Sequence, residues 1–128
     1  MSRWAVILAG GVGSRFWLLS TPRRPKQLLP LITDAPLLAD TVSRLAPLVP
    51  ATHTLVVTNA SLASAVCELL PELPRENVLA EPRAAGTAPA LSWAAATVAW
   101  RGSAEDVMFC VHADWAIGDA LEFRATLE

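Results

Sequence analysis

The chain has 128 residues, of which 53% are hydrophobic, and a formal net charge of −2 at pH 7. This length suits one domain with a buried core, and the slightly acidic balance excludes the basic field that nucleic-acid binding requires. Apolar runs stay well below the ~20 residues that a membrane-spanning helix needs, so we expect neither a nucleic acid nor a membrane as a partner. The first apolar run enters a glycine loop, and we interpret it as a strand rather than a signal peptide.

Strand-like and helix-like segments alternate along the chain. The sequence predicts strands at WAVILA, HTLVVTN, NVLAE and DVMFCVH, which are residues 4–9, 53–59, 77–81 and 106–112. Apolar residues at helical spacing predict helices over residues 36–48, 61–70, 87–100 and 119–128. Because the strands are apolar without alternation and are separated by helices, they predict a parallel sheet covered on both faces. The expected fold class is therefore α/β, with a Rossmann-like sheet.

Several residues of these helices carry further expectations. Asp119 is spaced like the first residue of a capping box, and Thr87 is a plausible N-cap residue. Trp93 and Trp100 lie seven residues apart on one helix face, which predicts packing in the core or against a partner. The last helical pattern reaches residue 128 without a C-cap glycine, so we expect the chain to be the N-terminal part of a longer domain.

The two cysteines, Cys67 and Cys110, lie far apart in apolar surroundings. Two thiols without a nearby histidine make a poor zinc site, and we expect both to be reduced core residues. Reduced cysteines favour a cytoplasmic location.

A glycine-rich loop follows the first predicted strand. Gly10, Gly11 and Gly13 would lie at the carboxyl edge of the sheet, where α/β proteins bind ligands. Glycines leave backbone N–H groups accessible to phosphate oxygens, and Arg15 adds a cation that can bind them in bidentate fashion. The loop matches neither a dinucleotide fingerprint nor a P-loop, because Phe16 stands where the first needs glycine and no Gly-Lys pair follows. A plain turn with a solvent-facing arginine is the alternative.

Three further cations follow in the segment TPRRPKQ. Arg23, Arg24 and Lys26 lie on a stretch whose backbone freedom is restricted by Pro22 and Pro25. Fixed cations beside a glycine loop suit a triphosphate, since phosphoryl transfer depends on positioning and charge neutralisation. Arg23 and Arg24 are weaker candidates than Lys26, because exposed loops often carry unpaired arginines.

Three segments of the chain resemble one enzyme family. The stretch LAGGVGSRFWLLSTPRRPKQLLPL, residues 8–31, resembles the signature of sugar-1-phosphate nucleotidylyltransferases. Within that family, RFW and PKQ resemble the mannose-1-phosphate guanylyltransferases. EPRAAGTAPAL at residues 81–91 and FCVHADW at residues 109–115 resemble two further segments in the expected order. The chain departs from the family pattern at Leu18, where proline is usual, and at Trp115.

The resemblance implies the nucleotide-diphospho-sugar transferase fold, with residues 1–128 forming the N-terminal nucleotide-binding half of the domain. It implies transfer of GMP from GTP to mannose 1-phosphate, with Mg²⁺ as cofactor, giving GDP-mannose and pyrophosphate. A sugar-phosphate oxygen would attack the α-phosphorus in line. In this family the sugar pocket and a second metal-binding aspartate come from later residues, so we expect the isolated chain to turn over poorly.

The resemblance also implies roles for individual residues. Arg15 would stabilise the departing pyrophosphate, and Lys26 would neutralise the attacking or transferred phosphate. The nucleotide would contact Gly10, Gly11, Gly13 and Ser14. Asp114 follows the last predicted strand, where a hard carboxylate oxygen suits Mg²⁺.

The base site would include Glu81, Gly86 and Thr87. Guanine presents its N1–H and N2–H₂ groups as donors, so a carboxylate or backbone carbonyl could select it. His112 would pack behind the site, since a phosphate nucleophile is already deprotonated and needs no base.

Other readings stay open at this point. The chain could belong to a thymidylyl- or uridylyltransferase of the same family, to a molybdopterin guanylyltransferase, or to a nucleotide-binding subunit without turnover. RFW and GTAPAL argue against the first, the long FWLLSTPRRPKQ segment against the second, and the presence of Arg15, Lys26 and Asp114 against the third. The sequence leaves the sugar and a homo-oligomeric state undetermined.

Overall fold

The computed structural model describes residues 1–11 and 21–128. In this part of the chain, strands and helices alternate as the sequence predicts. The strands are β1 (Arg3–Leu8), β2 (Thr54–Asn59), β3 (Val78–Glu81) and β4 (Val107–His112). The helices are α1 (Leu37–Leu45), α2 (Ala63–Leu69), α3 (Thr87–Arg101) and α4 (Ala120–Leu127). Short 3₁₀ turns at Lys26–Leu28, Ala51–His53 and Arg75–Asn77 lie ahead of α1, β2 and β3.

The four strands form one parallel sheet in the order β3-β2-β1-β4. The chain moves outward from β1 to β2 and β3, and then returns to place β4 on the other side of β1. All four strands therefore end at the same edge, with Leu8 opposite Val57 on one side and His112 on the other. The strand order reverses between β1 and β4, and such reversals are where open α/β sheets bind ligands. The predicted parallel sheet is confirmed.

Helices cover both faces of the sheet. One core cluster lies between the sheet and α1, α2 and α4, and it includes the fully buried Ile7, Leu38 and Val66. A second cluster lies between the sheet and α3, where Val6 and Leu55 meet small helix residues. Because β1 and β2 have neighbours on both edges and helices on both faces, their apolar runs need no alternation.

The expectation of core packing for Trp93 and Trp100 is wrong. Their side chains are 41% and 83% exposed. The face of α3 that meets the sheet instead carries Ala90, Ala94 and Val98, all buried. These small side chains lie at i, i+4 and i+8, so they form one stripe along the helix. A contact between the tryptophans and a partner stays a prediction.

The helix starts differ in how they are capped. Asp119 caps α4 as predicted, since its carboxylate accepts from the N–H groups of Leu121 and Glu122 at 2.9 and 3.0 Å. Thr87 is not the N-cap of α3 but its first helical residue, and Gly86 precedes it with φ of +95°. At this φ and an extended ψ of 180° a side chain is strongly disfavoured, so glycine sets the entry into α3.

Both cysteines are free thiols and are partly buried, and burial raises the pKa of the Cys110 thiol.

No helix in the described ranges is both long and apolar enough to span a membrane.

The amino-terminal edge of the sheet is organised around the Asp106 carboxylate. It accepts hydrogen bonds from the Ser2 N–H at 2.8 Å and the Trp4 indole at 3.0 Å, and from both the N–H and the hydroxyl of Ser103. These donors, with the Ser2 N–H first, hold the pKa of the Asp106 carboxyl well below its usual range. Gly102 leaves the room for this arrangement, because a Cβ there would collide with the Asp106 carboxylate.

The Asp106 hydrogen bonds predict a specific dependence of stability on pH. Because folding lowers the pKa of this carboxyl, its contribution is complete above the ordinary aspartate pKa of ~3.9 and is lost as the pH falls further. We expect Asp106→Asn to lower the melting temperature at pH 7 and to flatten the loss of stability between about pH 5 and pH 2. Thermal unfolding across that range measures both effects.

Glu105→Gln is the matched control, because it removes the same charge one residue away. Its carboxylate accepts no hydrogen bond from the described residues. A steep acid-induced loss of stability that persists unchanged in Asp106→Asn would contradict the assignment.

The backbone of Gly86 predicts a second effect on stability. Gly86→Ala should lower the free energy of unfolding by about 1–3 kcal/mol, the usual cost of holding a side chain in such a conformation. Gly118→Ala is the control, because Gly118 has no positive φ and a Cβ added there would meet only open space. Urea unfolding of the two variants compares these costs. Equal stabilities would mean that the loop before α3 tolerates an ordinary backbone conformation.

Candidate functional site

A cavity of about 350 Å³ lies at the carboxyl edge of the sheet, over the ends of β1 and β4. The segments around it are the loop after β1, the turn that begins at Lys26, the loop between β3 and α3, and the loop after β4. The described residues that line it are Leu8, Ala9, Gly10, Gly11, Lys26, Gln27, Val57, Glu81, Ala84, Gly86, Thr87, Ala90, His112, Ala113 and Asp114. Its volume is in the range that small-molecule sites occupy.

Seven predicted site residues converge on this cavity. They come from separate segments and are Gly10, Gly11, Lys26, Glu81, Gly86, Thr87 and Asp114. The parallel sheet explains the convergence, because strands that end at one edge deliver their following loops to the same place. Gly13, Ser14 and Arg15 lie outside the described residues.

Lys26 and Asp114 form an ion pair across the cavity. The Lys26 Nζ atom lies 3.4 Å from Asp114 Oδ2, and the two side chains are 20% and 45% exposed. A pair this exposed stabilises the fold by about 1 kcal/mol or less. The sequence identified the two residues separately, Lys26 as a cation for phosphate and Asp114 as a metal ligand. The structure brings them into contact although they lie 88 positions apart in the chain.

Arg23 and Arg24 are not brought to this cavity. Both are exposed, and neither lines it. The backbone of Arg24 pairs with that of Thr21 in both directions, at 3.0 Å each. This turn positions Pro25 and Lys26, so the segment contributes one cation to the described cavity wall.

Glu81 stands at the end of β3, on the far side of the cavity from Asp114. Its carboxylate approaches the glycine loop, since a Cβ added to Gly10 would lie 3.5 Å from Oε1. The backbone carbonyl of Glu81 accepts from the Ala60 N–H at 2.9 Å, which ties the end of β3 to the end of β2. Glu81 thus offers a carboxylate acceptor from a fixed backbone position.

A buried glutamine that the sequence reasoning did not assign lies beneath the glycine loop. Gln27 is 4% exposed, and its Nε2 donates to the carbonyls of Ala9 at 2.9 Å and Gly11 at 2.8 Å. The sequence did contain an indication of a buried polar residue, because Gln27 lies in the PKQLLPL segment between residues that are buried in the core. A polar side chain in such a position must find buried partners.

His112 lines the cavity at the end of β4, and its ring lies 5.2 Å from that of Trp115. The expectation that it packs behind the site is not borne out, because His112 is exposed on the cavity wall. Trp115, one of the departures from the family pattern, is thereby placed next to a residue of the cavity wall.

The donor set for a metal ion is small. Among residues 1–11 and 21–128 there is no group of three or more His, Cys, Asp and Glu that could hold one. Asp114 is a half-exposed carboxylate on the cavity wall. That arrangement fits Mg²⁺ arriving with a substrate, because Mg²⁺ commonly takes one or two carboxylates and fills its other positions with phosphate oxygens and water.

Comparison with known proteins places the chain in a family. The family model described as "Nucleotidyl transferase" matches residues 4–128. The chain is 36% identical over 127 residues to a mannose-1-phosphate guanylyltransferase of Escherichia coli K12, covering 97% of this chain and 26% of that protein. It is 37% identical over 124 residues to mannose-1-phosphate guanylyltransferase ManC of Salmonella typhimurium LT2, covering 94% of this chain and 26% of that protein. The chain therefore spans about a quarter of the length of these curated relatives.

A solved structure agrees with the sequence comparisons. The crystal structure of a mannose-1-phosphate geranyltransferase from Thermus thermophilus matches with a TM-score of 0.88 and 32% identity, covering 99% of this chain and 36% of that chain. The resemblance that the glycine-loop, EPRAAGTAPAL and FCVHADW segments indicate is confirmed. The chain belongs to the nucleotidyl transferase family, and its similarity within that family is to the mannose-1-phosphate guanylyltransferases.

Proposed function

We propose that this chain forms the nucleotide-binding half of an enzyme that transfers GMP from GTP to mannose 1-phosphate. The observation that carries the proposal is the meeting of a glycine loop, one lysine and two carboxylates at a single cavity. Gly10, Gly11, Lys26, Glu81 and Asp114 supply these groups. The similarity to mannose-1-phosphate guanylyltransferases supports guanine as the base and mannose 1-phosphate as the acceptor.

The reaction is an in-line substitution at the α-phosphorus of GTP. A phosphate oxygen of mannose 1-phosphate forms the new P–O bond while the bond to the bridging oxygen breaks, and pyrophosphate departs with that electron pair. The nucleophile is already an anion, so no side chain has to remove a proton. Such a step depends on positioning and on neutralising phosphate charge.

The chain's own residues supply these two contributions. The glycine loop binds phosphate oxygens through its backbone, and Lys26 neutralises charge on the transferred phosphate. Arg15 stabilises the leaving pyrophosphate in this proposal. Binding at Lys26 requires its ammonium to exchange a contact with Asp114 for one with phosphate, which the exposure of the pair permits. Asp114 would hold Mg²⁺ through its carboxylate, and the ion would contribute charge neutralisation when bound.

Glu81 is the residue that we propose recognises the base. Its carboxylate can accept from the guanine N1–H and N2–H₂ groups together, whereas uracil and thymine present one N–H between two carbonyls. Gly86 and Thr87 complete this side of the site at the start of α3. The cytoplasmic location and the poor turnover expected of the isolated chain stay predictions.

The first test is thermal unfolding of the chain with Mg²⁺ and each of GTP, ATP, UTP and dTTP. A ligand that binds only the folded state raises the melting temperature, by the equivalent of about 2.7 kcal/mol at a hundred times its Kd. We expect GTP to give the largest shift. Glu81→Gln should weaken GTP binding about tenfold, because it removes a charged acceptor and leaves one oxygen.

Glu72→Gln removes the same charge at an exposed position away from the cavity, and it should bind GTP as the unmodified chain does. A largest shift with UTP or dTTP would favour a uridylyl- or thymidylyltransferase. A cooperative transition that no nucleotide moves would contradict the proposed function.

The second test separates metal binding from the ion pair. With GTP and Mg²⁺, Asp114→Asn should lose most of the nucleotide-induced rise in melting temperature. With GTP and EDTA, the rise in melting temperature should be smaller than with Mg²⁺ and at least as large in the variant as in the unmodified chain, because without a metal ion the carboxylate only competes with phosphate for Lys26. An equal deficit under both conditions would instead indicate that Asp114 acts through Lys26 alone.

A further inference from the structure

We propose that Gln27 is a positioning residue of the nucleotide site, whose amide orients the peptide groups of the glycine loop toward phosphate. The inference rests on the proposed function, because it assigns a purpose to a contact within the same cavity. It adds a residue that contributes to phosphate binding through the backbone it holds.

The Gln27 amide uses both of its hydrogens on the loop. Its Nε2 donates to Ala9 at 2.9 Å and to Gly11 at 2.8 Å, and the side chain is 4% exposed. A primary amide nitrogen has two N–H donors, so this geometry employs its full donating capacity. Water competes little at such a buried position, and the two carbonyls are therefore held in fixed directions.

Neighbouring side chains extend the same arrangement. Thr58 Oγ1 also donates to the Ala9 carbonyl at 2.9 Å, and Asn59 Nδ2 lies 3.5 Å from the Gly10 carbonyl. Three consecutive carbonyls at the end of β1 thus face side-chain donors. Gln27 comes from the segment after the loop, whereas Thr58 and Asn59 belong to β2. Side chains from two separate parts of the chain therefore hold the loop.

The directions of the carbonyls determine the directions of the N–H groups. The peptide bonds are trans in the described residues, and the C=O and N–H of a trans peptide point in opposite directions. The Gly10 N–H, which shares its peptide group with the Ala9 carbonyl, therefore points away from Gln27 and Thr58. The Gly11 N–H, which shares its peptide group with the Gly10 carbonyl, points away from Asn59, and within the described ranges neither N–H has a protein acceptor. Both residues line the cavity, where such groups can bind anionic oxygens.

Gln27 also links the loop to the cation of the site. It follows Lys26 in a 3₁₀ turn closed by the Leu28 and Leu29 N–H groups, at 2.9 and 3.0 Å. Lys26 extends toward Asp114, while Gln27 extends beneath the glycine loop. One rigid turn thereby sets the position of a charged side chain and the orientation of a backbone anion site.

The test compares ligand binding by Gln27→Glu and Gln27→Met with binding by the unmodified chain. The probes are GTP with Mg²⁺ and inorganic tripolyphosphate, which lacks a base. We expect both variants to bind both probes about tenfold more weakly, since neither introduced side chain donates to the carbonyls at pH 8. Lowering the pH toward 5 should restore part of the affinity of Gln27→Glu alone, because a protonated carboxyl donates one hydrogen bond.

Asn77→Asp is the matched control. Asn77 is another buried primary amide, and it donates to the carbonyls of Ala51, Thr52 and Thr54 at the opposite edge of the sheet. Its variant should lower the melting temperature but leave the affinity for tripolyphosphate unchanged. Equal weakening in Gln27→Glu and Asn77→Asp would reduce the effect to general destabilisation and overturn the proposal, as would unchanged affinity in Gln27→Glu.

A measurement on the unmodified chain covers the case in which the variants do not fold. In a sample labelled with ¹⁵N-glycine, tripolyphosphate should shift the amide signals of Gly10 and Gly11 and leave that of Gly118 in place. Unshifted Gly10 and Gly11 signals would overturn the proposal. Tripolyphosphate binding without a preference for GTP would count against the proposed base specificity while leaving the role of Gln27 intact.

Discussion

The end of β1 imposes the constraint on which the rest of the site depends. β1 lies between β2 and β4 with helices on both faces, so the carbonyl groups of the chain that leaves it, from Ala9 onward, begin in a buried place without a ladder partner. Buried carbonyls require donors. Side chains of Gln27, Thr58 and Asn59 provide them, and a glycine backbone lets these donors and a ligand approach from opposite sides.

The remaining groups of the cavity follow from the strand order. β3 and β4 end on opposite sides of β1, so Glu81 and Asp114 face each other across the loop rather than clustering. Two carboxylates held apart in this way leave space for a charged ligand between them. Lys26 compensates one of the two charges before any ligand is bound. Binding of a charged ligand would thus replace the contact between Lys26 and Asp114 with contacts to the ligand.

The sequence predicted the alternating elements and most of the site because both depend on local patterns. Uninterrupted apolar strands identified a covered parallel sheet, and its shared carboxyl edge brought Gly10, Lys26 and Glu81 together.

The role of Gln27 was not predictable, since the local sequence does not indicate which carbonyls a buried amide will contact. Thr87 was mistaken for a cap because its type suits capping, whereas the φ of Gly86 decides where α3 begins. Trp93 and Trp100 were misjudged because periodicity identifies a face but not whether it meets the sheet.

The unequal cover of the sheet has a consequence for how the chain behaves in concentrated solution. Within the described residues α3 alone covers its face, and β4 pairs with β1 on one edge only. The β4 residues Met108 and Cys110 are partly buried, and Val107 is exposed. An uncharged apolar edge strand of this kind is a template for pairing with another strand. In this chain the outer edge of β4 is therefore a surface through which two copies can associate.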